Sequence, residues 1–241
     1  MSKKLIACAL AVVAIGILAQ PAMSEGAQIG ETQSGFFSVL ANGTKITGTN
    51  VVKAKLVNSS LGVIAECSNV VMTGEIKNYG TAGVIEANIE TATFSGEGPE
   101  ANGMKECVGE AALGSLTPTT NGGLVDGETV TNGTPWCLKT VASTDRFTVR
   151  GGSCSQEARS ITFTLDTTLA GKCLYSRSSA IEGTFTTDTG GQDAVLTVGS
   201  FSSQFTREAG SGFFCPSTAA LEMSITLETD STSFPTPLYI K

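Results

Sequence analysis

The sequence predicts an all-β fold, specifically an antiparallel β-sandwich held together by disulfide bonds. Three observations support this: apolar and polar residues alternate with a period of two, turn-forming dipeptides separate the alternating segments, and an even number of cysteines follows the N-terminal segment. Alternation gives a strand one apolar and one polar face, as antiparallel sheets with one buried side require. A chain of 241 residues fits either one two-sheet body or two small tandem sandwiches.

Residues 1–24 are typical of a secretory signal peptide. Two lysines precede an apolar stretch over 5–19, and small residues stand at Ala22 and Ser24, the two positions that a signal peptidase reads. The apolar stretch is short for a membrane span. We therefore expect a mature chain that is secreted, extracellular or associated with the cell envelope, and that has no integral membrane segment after cleavage.

Charge and composition restrict the partners and the chemistry. Loss of the two signal lysines leaves 13 basic and 22 acidic residues, a net charge of −9. Nucleic acid is not an expected partner, because phosphate neutralisation needs clustered Lys and Arg. The chain contains no histidine, which excludes Ser-His-Asp and Cys-His hydrolases and imidazole ligands for a metal. No metal, no cofactor and no catalytic residue is predicted, and the expected partner is an unknown extracellular protein or polymer.

Six cysteines remain after the signal, and an even number in an exported chain predicts disulfides. Two segments, 67–107 and 173–215, resemble each other: each begins at a cysteine, continues through a glycine-containing strand, a polar turn and a second strand to a Phe-Ser pair, and ends at a cysteine. If this reflects a duplication, each copy closes its own bridge and the remaining two cysteines pair across a hairpin. The predicted pairs are Cys67–Cys107, Cys173–Cys215 and Cys137–Cys154.

The alternating segments place the strands along the chain. They are residues 72–76, 85–90, 146–150, 160–165, 181–185 and 221–228. The segment 114–135 is rich in Thr, Gly, Asn and Pro, which predicts a linker or long loop. It divides the mature chain into an N-terminal β half, 25–113, and a C-terminal β half, 136–241.

The amphipathic aromatic residues are the candidate binding residues. Trp136, Tyr79 and Tyr175 are of the kind that stack on sugar rings or anchor interfaces. Core packing is the favoured alternative for these aromatic residues, and for Trp136, which precedes Cys137, it takes the form of packing against a disulfide. The predicted function is that of a secreted, non-enzymatic protein that binds a surface, a polymer or a partner.

Paired carboxylates suggest an alternative function, a histidine-free glycosidase. Glu86 and Glu90 share one strand face, as do Glu222 and Glu228, and glycoside hydrolysis needs two carboxylates on either side of the scissile bond. The competing interpretation is that these acids only keep the exposed faces soluble.

Several motifs resemble those of uncharacterised secreted proteins of actinobacteria. They are Pro135-Trp136-Cys137, the segments 149–154 and 213–216, and the closing stretch 227–240. This resemblance covers most of the mature chain and implies no activity. The stretch from Cys67 to Trp136 also resembles the exported activators of alkane oxidation, through Ala92-Thr93-Phe94-Ser95-Gly96 between two cysteines. That resemblance implies a third possible function, an accessory protein for a hydrophobic ligand.

Overall fold

The computed structural model describes residues 29–33, 36–79, 84–98, 100–101, 104–105, 107–109, 116–120, 135–142, 144–167, 171–186, 194–199, 202–230 and 239–240. The predicted signal peptide and most of the predicted linker lie outside these ranges. The described residues form antiparallel β-strands and contain no α-helix. The prediction of an all-β, antiparallel fold is confirmed.

Eight strands form a closed barrel. Around the barrel the strands follow one another in chain order, and the last strand pairs with the first. Most of these strands bury alternate residues, and their apolar faces point into a single core. In order around the barrel, they are β3 (Lys45–Asn50), β6 (Asn69–Tyr79), β7 (Ile85–Ser95), β12 (Trp136–Thr140), β13 (Arg146–Gly151), β16 (Ile181–Phe185), β17 (Val195–Val198) and β19 (Thr218–Thr229).

A second sheet extends from the barrel, and we call it the cap sheet. It shares β19 with the barrel, because residues 218–222 pair with cap strands while residues 223–229 pair with barrel strands. In spatial order, the cap strands are β11 (Leu116–Thr120), β14 (Ile161–Thr167), β15 (Gly171–Arg177), β18 (Gln204–Arg207), β19, β4 (Ala54–Asn58), β5 (Gly62–Cys67) and β10 (Val108–Gly109).

Short strands complete the described structure. A three-stranded sheet brings together segments near the two ends of the chain, and a two-stranded hairpin lies between β7 and β10. The strands are β1 (Ile29–Gln33), β2 (Phe36–Val39) and β20 (Tyr239–Ile240) in the first, and β8 (Glu100–Ala101) and β9 (Met104–Lys105) in the second.

The order of strands repeats between the two parts of the chain. A barrel strand (β3 or β13) leads into a cap hairpin (β4–β5 or β14–β15), then a barrel hairpin (β6–β7 or β16–β17), then a cap strand (β10 or β18). The first copy ends with a cap strand, β11, and a barrel strand, β12. The second copy ends with β19 alone, whose first part lies in the cap sheet and whose second part lies in the barrel. This repeated topology supports the duplication that the cysteine spacing suggested.

The sandwich prediction is wrong in both of its forms. A sandwich keeps free sheet edges, whereas the pairing of β19 with β3 closes the barrel and leaves it without an edge. Strands from both predicted halves contribute to this one barrel. Alternation requires only an enclosed apolar face, which a closed barrel and a pair of packed sheets provide equally well.

The three disulfides join the predicted pairs. Cys67 is bonded to Cys107, Cys137 to Cys154, and Cys173 to Cys215. The first and third each join the second strand of a cap hairpin, β5 or β15, to a segment that follows the barrel hairpin of the same copy. Three bridges within one chain are typical of extracellular proteins.

Candidate functional site

The predicted aromatic residues are not brought together on a surface. Trp136 is buried and lines the interior at the boundary between barrel and cap sheet. Tyr175 is only 1% exposed and stacks on Phe163, with ring centroids 5.0 Å apart. Tyr79 is the last residue of β6, and its side chain lies outside the described part of the structure. Core packing therefore accounts for Trp136 and Tyr175.

Two adjacent phenylalanines are instead fully presented to solvent. Phe213 is 90% exposed and Phe214 is 72% exposed, and their rings meet edge to face with centroids 5.4 Å apart. They lie in residues 208–217, between β18 and β19, which we call the Phe loop. Exposed apolar groups in contact with each other are uncommon on soluble proteins and mark interaction sites.

A third exposed apolar residue lies at the same end of the cap sheet. Leu61, at the turn between β4 and β5, is 56% exposed. The neighbouring Asn58 donates its side-chain amide to the carbonyl of Thr218, where the Phe loop ends, at 2.7 Å. We call this end, with Leu61, Phe213 and Phe214, the apolar end.

The backbone of the Phe loop is tied firmly to the cap sheet. Cys215 is bonded to Cys173 of β15, and the carbonyl of Cys215 accepts a hydrogen bond from the Arg207 guanidinium at 2.6 Å. The amide of Gly212 donates to the Lys172 carbonyl at 2.9 Å. The hydroxyl of Ser211 accepts from the amide of Leu174 at 2.9 Å. The phenylalanines are therefore held outward by a fixed backbone.

Tyr175 connects the Phe loop to the core. Its hydroxyl donates to the Pro216 carbonyl at 3.0 Å, while its ring packs in the cap sheet. Burial raises the pKa of Tyr175 to about 12, against a smaller opposing effect of Arg207. The phenol therefore stays protonated at physiological pH and keeps its donor role. The residue proposed from sequence as a binding residue supports the exposed pair instead.

The interior contains two adjoining cavities, of about 60 Å³ and about 40 Å³. The larger one lies at the boundary between the two sheets, since its wall includes Met72 of the barrel and Phe163 and Phe205 of the cap sheet. The walls of both are almost entirely apolar. Five side chains line both cavities: Met72, Ile89, Leu138, Leu196 and Ile225.

A groove of about 510 Å³ opens on the surface where β19 passes from the cap sheet to the barrel. We call this place the open junction, consisting of residues 51–53, 198–199 and 222–224. Val198 and Met223 are paired across β17 and β19, and both line the groove as well as the larger cavity. Only their side chains and that of Lys55 are common to both spaces, so they separate the groove from the interior.

Charged groups stand at the edge of this groove. The ammonium of Lys53 lies 2.8 Å from a carboxylate oxygen of Glu66, and that of Lys55 lies 3.8 Å from the other. The hydrogen bond between Lys53 and Glu66 raises the pKa of the lysine and lowers the pKa of the carboxyl. The groove therefore has a charged rim and an apolar floor.

The matching place in the other copy is fastened by additional bonds, and we call it the bridged junction. The connection after β13, residues 152–160, is longer and is fastened by the Cys137–Cys154 disulfide. The Arg150 guanidinium donates to the carbonyls of Ser153, Cys154 and Gln156 at 3.0–3.3 Å. Gly152 has φ +87°, and a Cβ there would lie 2.8 Å from the Glu157 carbonyl oxygen, so this turn requires glycine.

Glu86 and Glu90, one of the two carboxylate pairs considered for glycoside hydrolysis, lie among lysines on the outer face of the barrel. Glu86 contacts Lys139 at 2.7 Å, and Glu90 contacts Lys45 at 3.0 Å. The neighbouring Glu75 accepts hydrogen bonds from Lys45 and Lys77, which lower its pKa to about 2. A general acid needs a raised pKa, and the pKa of Glu75 is shifted in the opposite direction.

Sequence reasoning missed both features of interest. Phe213 and Phe214 are adjacent, and in an alternating strand two adjacent residues cannot both face the core, which was an available signal. Met223 follows the alternation of its strand and has no distinctive signal in the sequence. Its place at the junction depends on which strands flank β19.

Comparisons with protein-family models, curated proteins and solved structures find no match to this chain, so the resemblances noted from sequence stay predictions. Within the described ranges, no helix is long and apolar enough to cross a membrane.

Proposed function

We propose that this chain is an exported, non-enzymatic binding protein that attaches to an apolar surface through its apolar end. The observation that supports the proposal is the exposure of Phe213 and Phe214 on a disulfide-anchored loop. Burying one phenylalanine side chain contributes about 1.5–3 kcal/mol. A pair already held outward by a fixed backbone loses little conformational entropy when it binds.

The driving force of this attachment is hydrophobic. The whole chain has a net charge of −7, and the exposed pair is uncharged. Binding should therefore strengthen when ammonium sulfate is added, because excluded salts favour apolar burial. An attachment driven by charge would weaken under the same conditions, because salt screens exposed charges.

The test measures partition of the full chain, with its disulfides intact, onto octyl-coated beads and onto uncharged phosphatidylcholine vesicles. The variant Phe213→Ser/Phe214→Ser should bind at least about tenfold more weakly, since 1.4 kcal/mol is a factor of ten. The matched control is Val51→Ser/Val52→Ser, which removes two adjacent apolar residues that are 54% and 57% exposed at the open junction. Equal losses in the two variants, or no loss in the phenylalanine variant, would contradict the proposal.

A further inference from the structure

The interior of the barrel has the character of a site for an uncharged ligand. An eight-stranded barrel is just wide enough to be filled by side chains or to hold one small ligand. Here the side chains leave cavities of about 60 Å³ and about 40 Å³ with five lining residues in common. A polar ligand would lose its hydrogen bonds to water without replacement in so apolar a wall. Apolar cavities stay dry and accept apolar guests.

The volume restricts the size of the guest. An engineered apolar cavity of about 150 Å³ holds benzene or xenon in another protein, and the present cavities are smaller. Met72 lines both of them and Met223 lines the larger. Methionine is unbranched and changes its rotamer easily, so these two side chains allow the spaces to merge around a slender molecule. Xenon and short linear hydrocarbons fit this description.

The open junction offers the route to the interior. Met223 is only partly buried and lies between the groove of about 510 Å³ and the larger cavity. The strands beside it separate here, because β19 exchanges β4 and β18 for β3 and β17 as neighbours. On the opposite side, the disulfide and Arg150 fasten the bridged junction.

We propose that a small apolar molecule, of the size of xenon or a short hydrocarbon, binds in the interior cavity and reaches it from the groove past Met223. Met223 acts as the gate and Met72 adjusts the cavity to the guest, while Lys53 and Glu66 pair with each other at the edge of the groove. This site is separate from the apolar end, so either proposal can fail without the other.

The first experiment uses the full chain labelled with ¹³C at the methionine methyl groups. Xenon and n-butane are titrated separately and the methyl signals are followed by NMR. We expect saturable shifts at Met72 and Met223, which line the larger cavity. Because one site is proposed, xenon should displace n-butane. Shifts that do not saturate, or the absence of a shift at both Met72 and Met223, would overturn the proposal.

The second experiment fills the cavity. Ala65 lines the larger cavity and is 1% exposed, so Ala65→Val should lower the affinity for n-butane by about tenfold or more. Ala219→Val is the matched control, because Ala219 is equally buried in the cap sheet and lines neither cavity. Unchanged affinity in folded Ala65→Val would contradict the site. The competition between xenon and n-butane in the wild-type chain decides the matter if that variant does not fold.

The third experiment tests the gate. Met223→Ala should speed the exchange of bound xenon severalfold. Leu138→Ala enlarges the same cavities from β12, away from the groove, and should leave the exchange rate within about twofold of the wild-type rate. Equal acceleration by the two variants would overturn the route past Met223 while leaving the site itself in place.

Discussion

The two junctions between barrel and cap sheet occupy matching places in a repeated fold, yet they are built differently. At the bridged junction, a disulfide and the guanidinium of Arg150 hold residues 152–160. At the open junction, the connection between β3 and β4 is only three residues long, and hydrogen bonds and the Lys53–Glu66 ion pair hold it without a disulfide of its own. The Asn50 amide donates to the Val52 and Ser68 carbonyls, at 2.9 Å and 3.0 Å, and the Val70 amide donates back to Asn50 at 2.7 Å.

The other side of the open junction, where residues 198–199 meet residues 222–224, is also held by hydrogen bonds. The hydroxyl of Ser203, which is fully buried, donates to the Leu221 carbonyl and accepts from the Leu221 amide at 2.9 Å. Hydrogen bonds of this kind open locally at far lower cost than a disulfide. The covalent restraint therefore lies at the bridged junction. The open junction is the place where local opening of hydrogen bonds allows access to the interior.

The largest expected effect comes from breaking the bridged junction. Cys137→Ala/Cys154→Ala removes a bridge that spans 17 residues, and the chain-entropy estimate for such a loop is about 3 kcal/mol of unfolding free energy. Unfolding in guanidinium, with the other two disulfides intact, measures the loss. Ser155→Ala, in the same connection, is the control and should change stability by less than about 0.5 kcal/mol. A loss below about 1 kcal/mol in the double variant would show that hydrogen bonds alone fasten this junction.

The next largest effect on stability is a difference between two arginines of β13. Arg150→Met leaves four backbone carbonyls without their charged donor and should cost about 1.5 kcal/mol. Arg146 is the matched control: it is 62% exposed, its nearest carboxylate is 3.6 Å away at Glu182, and Arg146→Met should cost less than about 0.5 kcal/mol.

The same two arginines also allow a test of coupling. Arg150 and the Cys137–Cys154 bridge fix one connection, so their effects should be less than additive in a double-mutant cycle. The losses of stability caused by Arg146→Met and by removal of the bridge should be additive. Equal costs for the two arginine variants would remove the distinction between the junctions.

The local parts of this fold could be predicted from the sequence, and the long-range parts could not. Residues 161–165 and 181–185 alternate cleanly, and both are strands with alternate residues buried. The disulfide pairs followed from the internal similarity. Closure of the barrel depends on the pairing of β19 with β3. This pairing brings Thr226 of β19 to Thr49 of β3, and the two residues are 177 positions apart in the sequence. Alternation reports which face of a strand is apolar but not which strand lies beside it.

The candidate sites show the same division. Trp136 was proposed for a surface because tryptophan is amphipathic, but its strand position directs it inward. Met223 lies in the middle of an uninterrupted strand, β19, and no residue marks the point where that strand changes neighbours. The pair Phe213 and Phe214 is visible in the sequence as two adjacent apolar residues, but their exposure depends on the loop between β18 and β19 that holds them outward.

The smallest expected effect compares the outer faces of the two copies. Lys45 lies opposite Glu75 across β3 and β6, and Arg146 occupies the corresponding place on β13. Hydrogen bonds from Lys45, and then from Lys77, lower the pKa of Glu75 from 4.5 to about 2. A carboxyl whose pKa is lower in the folded state stabilises the fold above its unfolded pKa, and this contribution is lost as the pH falls from 4.5 towards 2. Glu75→Gln should therefore lower the urea midpoint near neutral pH and match the wild type at about pH 2.

The control for this pH effect is Glu182→Gln on the second copy. Glu182 is 55% exposed and contacts Arg146 at 3.6 Å, so Glu182→Gln should lower the urea midpoint near neutral pH by less than Glu75→Gln does. Because the Lys45–Glu75 pair is solvent-exposed, 1 M NaCl should reduce the effect of Glu75→Gln as well. The contradicting result is a parallel loss of stability by the wild type and Glu75→Gln between about pH 6 and pH 2. In that case the hydrogen bonds from Lys45 and Lys77 contribute nothing to folding. The two outer faces are then equivalent in their contribution to stability, although their ion pairs differ.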